Sequence, residues 1–432
     1  MRHIAIIGSG PAGFYTAEAC QKQFGEAVRI DIIDRMPVPF GLIRTGVAPD
    51  HQSIKAVARR YEAVAQSGNV HFVGNLAIGT DVRIPDLLAH YDAVILATGA
   101  PFDRPLGVPG DDLPGVVGSA AFVGWYNGHP DFADLAPDID GRDIAIIGNG
   151  NVALDCARIL AKSAAEFDGS DIVRHALERL SRSQPRSVTI LGRRGPQQIA
   201  MTAKELAELG DLARASVHVD PADLPPPDSD RVLDPGQRRA VTLLRDFAQP
   251  HARKALPVRF EFFVQSVRVE GHGRVERLVV ERTLLGANGE AIGTGETHAV
   301  PADLIITCIG YRTPPIPDVP YDEARGRFAN VEGRIMPGLY CVGWARRGPT
   351  GTIGTNKPDG FLIAEAIERD QPVPAGKQGR AGLDALIAER GLAIVTFSDW
   401  RNIDRAEIER ARSGAPREKF VRIDDMVEAS RS

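Results

Sequence analysis

Cysteine is scarce in this 432-residue chain, which has four, and no two are close in sequence. Cys20 and Cys156 fall in predicted helices and Cys308 and Cys341 in predicted strands, and there is no CxxC. Neither a dithiol redox centre nor an iron–sulfur cluster is indicated; the four read as small buried hydrophobes of a reducing compartment. The chain also lacks a dominant charge. Its net charge is −5, from 51 Lys and Arg against 56 Asp and Glu, so no single-sign field invites nucleic acid. No apolar run approaches the roughly 18 residues that span a bilayer, so no membrane association is expected. The opening MRHIAIIGSG enters a strand almost at once, with too short an apolar region for an export signal. The expectation is a cytoplasmic protein with no metal site. An apolar content of 43% and a charged content of 25% fit an ordinary globular chain, long enough for two or three domains.

What is present is concentrated at the start. His3 to Asp34 reads as a buried strand (Ile4 to Ile7), then Gly8, Gly10 and Gly13 opening an apolar-periodic helix, then a strand (Val28 to Ile33) closing on Asp34. This is a βαβ dinucleotide fingerprint in full context. Gly8 permits the tight turn, Gly10 admits a pyrophosphate near the backbone, and Gly13 lets helix and strand pack closely. Asp34 follows Gly13 by 21 residues, near the spacing of a carboxylate that binds ribose hydroxyls.

A second fingerprint starts at Asp143. Its strand runs to Gly148, and Gly148, Gly150 and Ala153 open a second helix, with alanine as a tolerated third member. The next strand, Ser187 to Leu191, ends on Gly192-Arg193-Arg194-Gly195 instead of an acid. Guanidinium groups bind a 2′-phosphate that a carboxylate would repel, so this site should prefer NADP over NAD.

Between and after the fingerprints, the sequence is punctuated by loops. RMPVPFGLIRTGVAPDH reads as an ordered loop ending at His51, which is either a helix-terminal or a catalytic histidine. A helix is predicted from Asp50 or Ser53 to about Ser67, a strand or hairpin over Val70 to Ile78, and a buried strand over Ala93 to Ala97. Phe102 to Gly115, rich in Pro and Gly, marks the exit from the first domain. Thr202 to Leu209 reads as a capped helix with Glu205 and Glu208 near its polar face. Gln237 to Arg259 carries Arg238, Arg239 and Arg245 among six basic residues, either a docking surface for an acidic protein or a solvated helix face. Phe260 to Glu281 alternates as an antiparallel hairpin, and Leu304 to Ile309 should rejoin the second sheet. A glycine-rich loop, Gly343 to Asn356, precedes a helix to about Arg369, and its free N–H groups suit the electron-rich edge of a reduced flavin. Trp344 is there to cover a planar ring or to fill the core. No chemistry is assigned beyond Leu383.

Two fingerprints with unlike endings point to FAD at the first and NADPH at the second, since a flavin can take a hydride from a nicotinamide. GSGPAGFYTA, VPFGLIRTGVAPDH, AFVGWYNGHP, IGNGNVALDCARIL, LGRRGPQQ and VGWARRGPTGTIGTNK together resemble the adrenodoxin reductase-type ferredoxin–NADP reductases, and the likeness extends to SDWRNIDRAE near the C-terminus. The resemblance implies an α/β fold of two Rossmann-like dinucleotide-binding domains with parallel central sheets, the NADP domain (106–332) inserted in an FAD domain (1–105 and 333–432). It places FAD contacts at Ala12, Asp34, Leu42, Ile78, Trp344, Gly351, Thr352 and Ile353, beside Gly8, Gly10 and Gly13. NADP contacts fall on Asn149, Gly150, Asn151, Val152, Arg193, Arg194, Glu205 and the Gly351 backbone. His51 and Glu208 would tune the nicotinamide pocket. Arg238, Arg239 and Arg245 would dock an acidic 2Fe–2S ferredoxin that feeds a cytochrome P450 or iron–sulfur assembly. The family more often has Glu at the place of Asp34, and residues 220 to 260 match loosely. The rival readings are a disulfide-type reductase, for which the cysteine pair is missing, a flavin monooxygenase, and a non-catalytic NADP-binding flavoprotein.

Overall fold

The computed structural model describes residues 1–250 and 252–432; His251, inside the basic stretch, lies outside the described residues. The chain divides into two compact units. One comprises Met1–Phe102, Asn127–Ala133 and Gly310–Ser432, and the other Asp103–Tyr126 and Asp134–Ile309. The second is thus an insertion in the first, and it closes at Ile309, well before the 332 expected from sequence. Residues 310–332 carry only short paired strands, such as Tyr321–Asp322 with Arg327–Phe328, and Phe328 and Val319 pack into the core of the first unit.

The first unit is built on a seven-stranded sheet in the order 334–336, 339–341, 93–96, 2–7, 28–33, 70–74 and 395–396. Its five inner strands are parallel, and the two edge strands pair antiparallel. Alternate residues explain the unbroken apolar runs. Ile4, Ile6, Ile30, Ile32 and Ile95 face one core layer, while Ala5, Ile7, Ile33, Val94 and Leu96 face the other. Parallel strands covered on both faces need apolar residues at every position. Helix Pro11–Phe24 packs on helix Asn356–Asp370, where a Cβ on Gly360 would come within 2.8 Å of Tyr15 O.

The second unit has six parallel strands in the order 116–118, 304–307, 143–147, 187–192, 256–262 and 215–219. Helices Asn151–Ala161, Ala203–Gly210 and Pro235–Phe247 accompany it. An antiparallel sheet of Val264–Glu270, Arg277–Leu285 and Ala291–Pro301 adds Val264, Leu278, Val280 and Val300 to the core cluster that contains Ala145, Leu191 and Ile305.

Three local expectations change. The helix expected from about residue 50 to 67 is two, Gln52–Lys55 and Ala58–Ala65, with a turn at Ala56 and Val57. Phe263, at φ 56°, breaks the single strand read from Phe260 into a parallel strand ending at Phe262 and an antiparallel one starting at Val264. Strand Ala291–Pro301 escaped notice because nearly all of it is exposed, leaving no apolar alternation to read. Beyond Leu383, where sequence signals faded, the chain forms helices Phe397–Glu409 and Ile423–Ser430 and the edge strand Val395–Thr396.

Candidate functional site

Each unit carries its own strand–turn–helix cradle, closed by the same bond. Gly8 N donates to Ile33 O at 2.7 Å, and Gly148 N donates to Leu191 O at 2.8 Å. Both glycines hold positive φ, 113° and 137°, and a Cβ there would lie 2.4 Å from Ala97 O or 2.3 Å from Cys308 O. Gly10 and Gly150 begin their helices in extended backbone with no side-chain cap. The first helical N–H groups are therefore available to an anion. A Cβ on Gly150 would meet nothing within 4 Å, so open space lies over that helix end.

Asp34 is bound more tightly than spacing suggests. Its Oδ2 accepts from Ser9 N at 2.8 Å and Ser9 Oγ at 2.5 Å, and its Oδ1 accepts from Met36 N at 2.9 Å. A carboxylate offers about four acceptor positions, so these three bonds leave capacity for one more hydroxyl. Ser9, fully buried, is a residue that motif reasoning passes over because its partner lies 25 positions away.

Two further segments converge on the first helix. A Cβ on Gly41 would sit 2.9 Å from Gly10 Cα, and one on Gly343 would sit 2.6 Å from Ala12 Cβ. The first approach sets Leu42, 41% exposed at the start of helix Leu42–Thr45, beside the fingerprint. The second does the same for Trp344, whose Nε1 donates to Thr350 O at 3.1 Å and whose ring stacks near Tyr311. Gly351, Thr352 and Ile353 lead into helix Asn356–Asp370. Asp359 in its first turn is paired with both Arg346 and Arg347, and Arg347 also donates to Thr350 O and Asn356 Oδ1. An acid here would otherwise offset the positive helix end. Thr98 Oγ1 is buried without a protein partner next to the Gly8 turn, as a dinucleotide-contacting hydroxyl would be. Ile78 packs with the Ile7 and Leu96 core layer and bridges to Val82.

In the second cradle, Asn149 O accepts from Ala200 N, its amide lies over Gly192, and its Oδ1 is buried without a protein partner. Asn151 Oδ1 accepts from Thr202 N at 2.8 Å, and Val152 is half-buried beside it. Arg193 and Arg194 are exposed, and neither side chain has a hydrogen bond or ion pair among the described residues. Glu205 is drawn into its own helix cap, accepting from Thr202 Oγ1 at 2.8 Å. Glu208 lies 3.6 Å from the buried Arg158, which also pairs with Asp155 at 2.8 Å. It thereby ties helix Ala203–Gly210 to the fingerprint helix. His51 opens helix Gln52–Lys55 in the other unit.

The basic stretch is divided in role. Arg245 pairs with Asp230 and donates to Pro225 O, while Arg238 donates to the carbonyls of Asp230, Arg231 and Leu233. Both brace the turn before their helix; Arg239 is exposed. The four cysteines are free. Burial pushes the Cys20 and Cys341 thiols up to about 12. Cys156 is raised by a hydrogen bond with Cys308 and by burial. Sequence separation hid this last pairing, yet raised thiols are poor nucleophiles. Among the described residues no helix is long and apolar enough to cross a membrane.

Comparison with known proteins agrees with this architecture. The pyridine nucleotide-disulphide oxidoreductase family matches residues 2–208. Mouse mitochondrial NADPH:adrenodoxin oxidoreductase is 42% identical over 98% of this chain and 90% of its own. NADPH-ferredoxin reductase FprA of Mycobacterium leprae is 38% identical over 99% of this chain and 98% of its own. The structure of Mycobacterium tuberculosis FprA in complex with NADPH aligns with a TM-score of 0.96 at 36% identity, covering all of both chains. Fold and cradles together define a pyridine nucleotide-linked oxidoreductase. The chain belongs to the adrenodoxin reductase-type family of NADPH–ferredoxin reductases.

Proposed function

We propose that this protein passes electrons from NADPH through FAD to a 2Fe–2S ferredoxin, with FAD held on the first cradle and NADP(H) on the second. The observation that carries the division is the contrast between Asp34, an acid at the end of the second strand, and the exposed pair Arg193 and Arg194 at the equivalent place. A bound flavin supplies a two-electron acceptor that releases electrons singly. The protein's own residues bind and orient. Gly8, Gly10, Ala12 and Gly13 admit a pyrophosphate to the first helix end, and the remaining acceptor position on Asp34 takes a ribose hydroxyl. Leu42, Ile78 and Trp344 cover the rings, and the N–H groups at Gly351, Thr352 and Ile353 face the electron-rich edge. Asn149, Gly150, Asn151 and Val152 hold the second pyrophosphate, with Arg193 and Arg194 on the 2′-phosphate.

Glu208 acts here by positioning its helix through Arg158, and Glu205 by holding the hydroxyl of Thr202, which caps it. His51 retains its proposed place near the nicotinamide. Of Arg238, Arg239 and Arg245, Arg239 is the one offered to an acidic ferredoxin, with Arg238 and Arg245 shaping the segment behind it. The ferredoxin then serves a cytochrome P450 or iron–sulfur assembly, and the free thiols suit a reducing compartment, for which we propose the cytoplasm.

The test is anaerobic stopped-flow absorbance of the purified yellow protein mixed with NADPH or NADH, then with an oxidised 2Fe–2S ferredoxin. Fast bleaching with NADPH and recolouring as ferredoxin is reduced is the expected course. Bleaching with recolouring only by oxygen would favour a monooxygenase, and no bleaching a binding protein. Replacing Cys20, Cys156, Cys308 and Cys341 by Ala should leave the bleaching rate within about twofold, because Cys20, Cys156 and Cys341 are buried with raised thiols and the four form no disulfide. A collapse of that rate in the folded variant would restore the disulfide-type reading.

A further inference from the structure

The C-terminal segment Phe397–Phe420 has no role in either cradle's motif, yet it is fastened to the loop that enters the first one. Arg44, in helix Leu42–Thr45, is 9% exposed and pairs through both terminal nitrogens with Glu407, one bond being 2.8 Å; Glu407 is fully buried. Glu407 also accepts from Phe420 N at 2.9 Å and lies 3.5 Å from Arg417, which pairs with Asp404. Lys419, 1% exposed, donates to Arg44 O at 3.3 Å and Asn127 O at 3.1 Å. Lys55, at the end of the same loop, reaches Asn127 Oδ1 at 3.5 Å. Trp400 meets the Phe40 ring edge-on at 5.2 Å. Phe40 itself is held at φ 84°, its N donating to Ser9 O at 3.0 Å.

The loop is thus gripped from two sides. Ser9 and Gly10 of the fingerprint fix its start, and the C-terminal segment fixes Phe40 and Arg44, while Lys55 and Lys419 both bond Asn127. A salt bridge removed from water is poor at adding stability but holds one geometry, since each partner is costly to leave alone. Burial would raise the Glu407 carboxyl, but Arg44 above all brings it below the ordinary carboxylate range, so the pair stays ionised.

We propose that the C-terminal segment is a working part of the flavin site, in which Glu407 and Lys419 position the Phe40–Lys55 loop and so set how tightly FAD is held. This rests on the assignment of FAD to the first cradle. Glu407 and Lys419 are positioning residues, acting through Arg44 and Leu42.

The test is Glu407→Gln in the full chain, with Lys419→Met as the second variant. Two readouts are taken well below the unfolding temperature: the rate of FAD release, by recovery of flavin fluorescence on dilution, and amide exchange of residues 44–47 against strand 143–147. We expect FAD release faster by about tenfold or more in Glu407→Gln, and less in Lys419→Met, with exchange accelerated at 44–47 only. A folded variant that melts earlier but releases FAD at the original rate would overturn the proposal. Should Glu407→Gln not fold, Lys419→Met decides by the same two readouts. Parent protein that purifies with a cofactor other than FAD would overturn the assignment beneath it instead.

Discussion

Replacing Arg193 and Arg194 together by Ala should raise KM for NADPH by about 100-fold while leaving kcat and the KM for NADH nearly unchanged. A hydrogen bond to a charged group contributes about 1.5–3 kcal/mol, so two of them reach about 3–6 kcal/mol. Both side chains are exposed, and solvent screening puts the outcome at the lower end of that range. The side chains also have no protein partner among the described residues, so their removal leaves no buried group unsatisfied and the fold should be intact. Steady-state kinetics with the two nucleotides reads the effect directly. An unchanged NADPH preference would mean that the 2′-phosphate is held elsewhere.

Gly13→Ala should yield a protein that purifies without its yellow colour. The added methyl would lie 2.0 Å from Gly8 O, a backbone atom that cannot swing aside. Helix Pro11–Phe24 would have to move off the strand, and overpacking of this kind costs about 1–3 kcal/mol. The larger consequence is local, since the displaced helix end is the one proposed to receive the pyrophosphate. Gly68→Ala, just before strand Val70–Gly74, where a Cβ meets nothing within 4 Å and φ is not positive, is the control and should keep the flavin. The ratio of flavin to protein absorbance after purification distinguishes the two. Retained colour in Gly13→Ala would separate flavin binding from the first fingerprint.

The two cradles were legible in sequence because everything they need is local. Strand Val28–Ile33 and helix Asn356–Asp370 fall almost where periodicity and the Asn-Lys-Pro start put them. The free arginines follow from an acid missing at the end of the second fingerprint's closing strand, Ser187–Gly192. The interior of the basic stretch was less legible. Arg238, Arg239 and Arg245 look alike in a composition count, and only the fold shows two of them spent on the Pro225–Leu233 turn. Glu208 likewise stands near the polar face of its helix in the sequence, and only the fold brings Arg158, buried in the fingerprint helix, within 3.6 Å of it.

By itself, the sequence determined the class of fold, the two strand–turn–helix cradles and their difference in charge. These are set by the order of strand, glycine turn, helix and terminal residue, within about thirty positions in the first fingerprint and about fifty in the second. Tertiary structure decided what holds those sites in shape. Ser9 on Asp34, Cys156 on Cys308, and Glu407 and Lys419 on the Arg44 loop join residues 25 to 375 positions apart. No periodicity records such pairs, because partners chosen by packing are specified only when the sheets have already brought them together.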